Sequence, residues 1–257
     1  MKTRFKSRIT LLCGLLTLGF SPLWAQKPKS QKESEALQAV MAAKNPDDQV
    51  KAIENVLTNF ADTEFKIPLL TFAMNVESQK GDYAQTIFYA ERLIEADPKN
   101  APALVTLAGE TARHTREFDL DKEEKLAKVD KWAKAGIEIA KDAPKPNPAV
   151  TDEQLAGYRK DLQSQAYVAL GMAATLRKKN DEAIANYKQA ADIAATSDST
   201  IWVRLGQSYM DAGKFDDASA AFDKALADTT APASVKQIAQ TKKSELAAKK
   251  AATAPKP

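Results

Sequence analysis

Apolar residues recur at three- and four-residue steps through the chain, the period of a helix that buries one face. Ile53, Val56, Leu57 and Phe60 share one such face, and Leu126, Val129, Ala133, Ile137 and Ala140 share another. Thr151 and Gln154 form a capping box that predicts a helix start, and the pattern runs on from there to about Lys178. Proline and glycine punctuate these stretches. Asp97-Pro98 stops one helix, Gly213 supplies a turn, and a Pro-rich loop at 143–150 separates two long helices. The pattern predicts an all-α fold.

The pattern also repeats. The segments AYVALGMAATLRKKNDEAIANYKQAADI and IWVRLGQSYMDAGKFDDASAAFDKALAD superpose at a spacing of 35 residues. Tyr167 matches Trp202, Leu170 matches Leu205, and Gly171 matches Gly206; Ala183 matches Ala218, Tyr187 matches Phe222, and Ala190 matches Ala225. A large residue followed one turn later by glycine lets a second helix approach closely, and the matched alanines do the same from the other side. The aromatic between the alanines is expected to fill the space that opens further along the hairpin. An earlier copy carries Leu70, Met74, Gly81, Tyr83, Ile87, Ala90, Leu93 and Pro98, and another unit begins 34 residues later with Leu104, Leu107 and Ala108.

These positions resemble the signature of the tetratricopeptide repeat. The resemblance implies a right-handed α-solenoid of helical hairpins, with units at about 33–65, 67–100, 101–142, 164–197 and 199–231 and an extended central hairpin around the 143–150 loop. Residues 232–250 read as a capping helix that solvates the last repeat. Residues 26–32 are expected to be flexible and 251–257 disordered. The resemblance also implies a concave surface lined by the first helix of each pair. Its ligand-contacting places fall on Thr71 and Asn75, Val105 and Gly109, Val168 and Met172, and Val203 and Gln207. Val105, Val168, Met172 and Val203 describe a mildly apolar strip suited to an apolar segment or an amphipathic helix of a partner.

Charge and the first residues narrow the setting. Lys2, Arg4, Lys6 and Arg8 precede an apolar run from Ile9 to Phe20, which predicts a signal peptide cleaved after Ala25 and a periplasmic or secreted bacterial protein. The run is too short for a membrane span, so no integral span is expected after cleavage. Cleavage removes Cys13, the one cysteine, and with it disulfide and thiol chemistry. Residues 33–231 hold 24 basic against 33 acidic residues, a balance that repels phosphate backbones and argues against nucleic acid as a partner. The lysine-rich ends read as solvation.

Candidate chemistry is sparse. His114 is the one histidine, and no phosphate loop, nucleophile elbow or zinc-binding helix motif occurs. The acid pairs Asp47-Asp48, Glu123-Glu124, Asp181-Glu182 and Asp216-Asp217 read as helix-start residues, three of them at expected helix starts. No enzyme activity, metal or cofactor is expected. The expected partner is a protein or peptide, with another envelope protein first; a self-associating homo-oligomer is the alternative.

Overall fold

A computed structural model describes residues 27–253, which form eleven α-helices and no strand. The expected signal segment 1–25 and the last four residues of the expected disordered tail lie outside the described residues. The described residues group into two compact units: residues up to 69 with 145–150, and 70–144 with 151 onward.

In the first unit α1 (Gln31–Ala42) packs on α2 (Pro46–Asn59), burying Val40, Ile53 and Val56. Asn45 caps α2 by accepting from Asp48 N, and Pro46 takes a first-turn position where its missing N–H costs nothing. The N-terminal stretch departs from expectation. Residues 26–32 read as flexible, yet α1 begins at Gln31 because Ser30 accepts from the Glu33 amide. The Glu33 carboxylate is buried and accepts from Thr63 Oγ1 at 2.5 Å and from Lys29 N at 2.5 Å. Lys29 Nζ adds a 3.0 Å ion pair with Asp62.

The second unit continues α3 (Lys66–Lys80, whose first residues count with the first unit) through α4 (Tyr83–Ala96), α5 (Ala101–His114), α6 (Lys122–Ala140) and α7 (Asp152–Leu176). Then follow α8 (Asn180–Ile193), α9 (Ser199–Asp211), α10 (Phe215–Ala227) and α11 (Ala233–Thr253). The strongest packing is within the pairs α5 with α6, α7 with α8 and α9 with α10, and each pair also packs on the next. Pairs that each pack on the next along the chain define a helical solenoid.

Three turns share one backbone device. Gly81 has φ 75° and closes α3 with Asp82 N bonded to Glu77 O at 3.0 Å and Gly81 N to Ser78 O at 3.1 Å. Gly213, at φ 73°, closes α9 the same way, with Lys214 N on Tyr209 O at 2.9 Å. The matching place after α7 is Lys178, a side-chain-bearing residue at φ 59°, with Lys179 N on Ala174 O at 2.9 Å.

The glycine and the aromatic of each repeat meet directly. A β-carbon on Gly171 would lie 2.6 Å from the Tyr187 ring, and one on Gly206 would lie 2.5 Å from the Phe222 ring. The expectation that the aromatic fills space further along the hairpin is corrected here: its ring lies over the glycine, so the two residues act as one contact. In the α5–α6 pair the small residue is on the second helix: a β-carbon on Gly136 would meet Val105 Cγ2 at 3.0 Å.

The central hairpin is long, with 19 residues in α6 and 25 in α7, and the Thr151 capping box opens α7. Arg177, at the end of α7, donates to Glu123 and Asp130 of α6, each at 3.0 Å. The last helix, α11, buries Ala239 and Leu246 and ties to α10 through Lys243 with Asp223 at 2.5 Å and Lys250 with Asp216 at 2.6 Å. It runs to Thr253, so residues 251–253 of the expected disordered tail are helical; alanine, the strongest helix former, carries the last turn.

Candidate functional site

The first turn of α9 is fixed by Asp198, whose side chain accepts from Thr200 N at 2.9 Å. One turn further, α9 presents Val203, Arg204 and Gln207 on a single face. Opposite, Val235, Ile238 and Lys242 of α11 line the other wall, with Thr175 of α7 and Tyr187 of α8 at the end of the cavity. The result is an open groove of about 320 Å³ with a mainly apolar lining. Ile238 stands half exposed in it.

Two polar groups give the groove direction. The Tyr187 hydroxyl lies 3.4 Å from Thr175 Oγ1 with Arg204 beside it, and burial raises the phenol above its ordinary value, so it stays a neutral donor. Gln207 Nε2 donates to Asp211 Oδ1 at 2.8 Å, which sets the amide's orientation and leaves Oε1 buried without a hydrogen-bond partner. A buried acceptor with no donor costs about 1–3 kcal/mol.

The expected ligand-contacting residues divide in the structure. Val203 and Gln207 line the groove. Val105 is 3% exposed and packed by the close approach of Gly136, and Met172 is 9% exposed; both lie inside the same core cluster, against which Val168 packs. The apolar strip therefore does not run continuously along the surface, because Val105 and Met172 are buried in that core. Thr71 and Asn75 sit half-buried one turn apart on α3, and Gly109 is half-buried on α5 with nothing within 4 Å of its β position. Sequence reasoning missed Arg204, Tyr187 and the α11 wall. The spacing of Val235, Ile238 and Lys242 signals an apolar stripe with a basic edge, hidden by reading this helix as a solvating cap.

His114 stacks on the Tyr83 ring with centroids 4.1 Å apart, and its Nδ1 lies 3.0 Å from Glu110 O at the end of α5. All four acid pairs fall in helix first turns, of α2, α6, α8 and α10, one more than expected, where carboxylates meet the positive end of the helix dipole. Among the described residues no three metal-ligating side chains converge, and no helix is long and apolar enough to cross a membrane.

Residues 174–240, from the last turn of α7 into α11, match the family model described as tetratricopeptide repeat. No curated protein matches the chain. Among solved structures it is similar to a thermophilic tetratricopeptide-repeat protein of Thermus thermophilus, at 18% identity and TM-score 0.49 over 82% of this chain and 98% of that one. It is also similar to a tetratricopeptide-repeat protein from Parabacteroides merdae, at 11% identity and TM-score 0.32 over 83% and 99%. A third is an assembly chaperone of RpL4, at 10% identity and TM-score 0.37 over 85% and 98%. At these scores the superpositions carry no functional weight. The family match across α8 to α11 and the glycine–aromatic contacts repeated at 35 residues identify this part of the chain, from the end of α7 into α11, as tetratricopeptide repeats.

Proposed function

We propose that the protein is an exported adaptor that holds a protein or peptide segment in the groove between α9 and α11. The observation that carries this reading is the groove itself: an apolar trough of about 320 Å³ containing a half-exposed Ile238, with Arg204 and Lys242 among its lining residues. Apolar lining with one or two fixed polar groups is the composition that binds a segment and orients it. A helix or extended stretch bearing an apolar side chain fits such a trough. Export rests on the basic and apolar residues before Ala25, so the partner is sought in the cell envelope.

The test is affinity capture from an envelope extract with the parent and a Val203→Glu, Ile238→Glu double variant, each checked by circular dichroism. Capture of a protein by the parent, lost in the folded double variant, is the expected result. A partner retained by the double variant places binding on another surface.

A further inference from the structure

Of the two cations that line the α9–α11 groove, Lys242 is already neutralised, paired with Glu245 at 2.8 Å. Arg204, half-buried on the α9 wall, has no carboxylate partner among the described residues. Its guanidinium stands beside the Tyr187 hydroxyl, where its charge and an N–H act on the phenol oxygen. The neighbouring hydroxyl fixes the direction of that arrangement. Thr175 Oγ1 gives its single proton to Gly171 O at 2.9 Å, so across the 3.4 Å contact with Tyr187 the phenol is the donor. The lone pairs of the phenol are then left for Arg204. They hold the guanidinium while its remaining N–H groups have no acid to meet.

Packing of the repeat asks for neither polar group. At the place of Tyr187 the next repeat has Phe222, whose ring covers Gly206 as the Tyr187 ring covers Gly171. The hydroxyl is therefore surplus to the contact that the ring makes. At the place of Arg204 the preceding repeat, 35 residues earlier, has the fully buried Ala169. Two polar residues that depart from the repeat on different helices, and meet at the groove, belong to the groove's work.

We infer that Arg204 is the specificity-determining residue of the groove and Tyr187 its positioning residue, and that the bound segment is apolar with one side-chain carboxylate that pairs with Arg204. This rests on the groove reading above and names the chemistry of its occupant. Charge complementarity argues for it: a planar guanidinium takes a carboxylate through two N–H groups, and apolar walls strengthen the pair by keeping water back. The acidic excess of residues 33–231 repels the same segment from the rest of the surface, which directs it to the groove. The trough is open, so a segment runs through it and meets Arg204 in mid-length. That favours an aspartate or glutamate side chain over a chain terminus.

Fluorescence anisotropy of the full chain with labelled peptides tests this. The peptides are built of leucine, alanine, glutamine and serine with both ends blocked, and carry one glutamate placed in turn at every distance from the leucines. Twins carry glutamine or lysine in the glutamate's place. The expected result is a glutamate peptide that binds the parent at least about tenfold more tightly than its glutamine twin, with the preference shrinking as salt is raised. Arg204→Gln removes the preference and leaves the glutamine twin's affinity as it was. Arg204→Glu reverses the preference, toward the lysine twin. Tyr187→Phe, which keeps a ring over Gly171 as Phe222 does over Gly206, weakens the glutamate peptide alone. Circular dichroism checks that each variant is folded. Equal binding of the twins at every spacing, a preference that survives Arg204→Gln, or no binding by any peptide overturns the inference. So does a glutamine twin with a free C-terminal carboxylate that matches the glutamate peptide, since the groove then reads a chain end. If the twins bind equally and Ile238→Glu abolishes both, the carboxylate pairing fails and the groove reading stands. If binding is indifferent to Val203→Glu with Ile238→Glu, both fail.

Discussion

At Gly171 and Gly206 the ring of the second helix occupies the place of a β-carbon, 2.6 and 2.5 Å away, so each glycine is required by packing and not by backbone conformation. Gly206→Ala must push Phe222 out of the core it shares with Met210, Ala218 and Leu246, and is expected to destabilise by about 1–3 kcal/mol in urea unfolding. Gly109→Ala meets nothing within 4 Å in a helix interior and is expected to stabilise by about 0.5–1 kcal/mol. Equal effects at the two glycines would contradict the packing account. Lys178 makes the opposite point. It holds φ 59° where the equivalent turns use Gly81 and Gly213, so Lys178→Gly relieves left-handed strain while losing an exposed ion pair with Glu117. Differential scanning calorimetry is expected to show the transition raised by about 2–4 °C. The pairing of Tyr187 with Gly171 and of Phe222 with Gly206 was legible as a repeat in the sequence, but the contact was not: periodicity gives the face, and only helix crossing geometry gives the partner.

Between elements, hydroxyl groups and carboxylates do much of the joining. Asp228, capping the end of α10, accepts from Ser199 Oγ and Thr230 Oγ1 and from Ser197 Oγ, tying that end to the start of α9. These hydroxyls, with the Thr230 amide, hold its carboxyl well below the usual carboxylate range. A depressed folded-state pKa contributes stability that is present above the unfolded value near 3.8 and is lost as pH falls below it. Asp228→Asn is therefore expected to lower the urea midpoint at neutral pH, with the gap to the parent closing as pH falls toward about 2; a gap that persists in acid would show that the carboxylate charge is not what joins these elements. Helix starts were legible where capping chemistry was read, as at Thr151 with Gln154. The equivalent Ser30-Gln31-Lys32-Glu33 signal was passed over, because a lysine-rich terminus suggests solvation while the buried Glu33 that anchors it is supplied by Thr63, thirty residues away.

Over the whole chain, the solenoid was legible because each repeat packs mainly on its neighbours, so a local pattern determines most of the contacts. The working surface was less so. Two of the eight expected ligand-contacting residues, Val203 and Gln207, line the groove, while Val105 and Met172 are buried in the core. Packing between neighbouring helices, as of Gly136 on Val105, decides which apolar positions stay open, and repeat spacing does not carry that information. Export with cleavage predicts a mature N-terminus at Gln26 by intact-mass spectrometry, and a retained Met1 would contradict that cleavage while leaving the groove unchanged. The most direct test of the groove is hydrogen–deuterium exchange of the protein alone and with its captured partner. The account predicts slowed exchange in α9 and in the first half of α11, around Val203, Gln207, Val235 and Ile238. Protection confined to α1 and α2, or to the α3–α4 pair, with α9 and α11 unchanged, would contradict it.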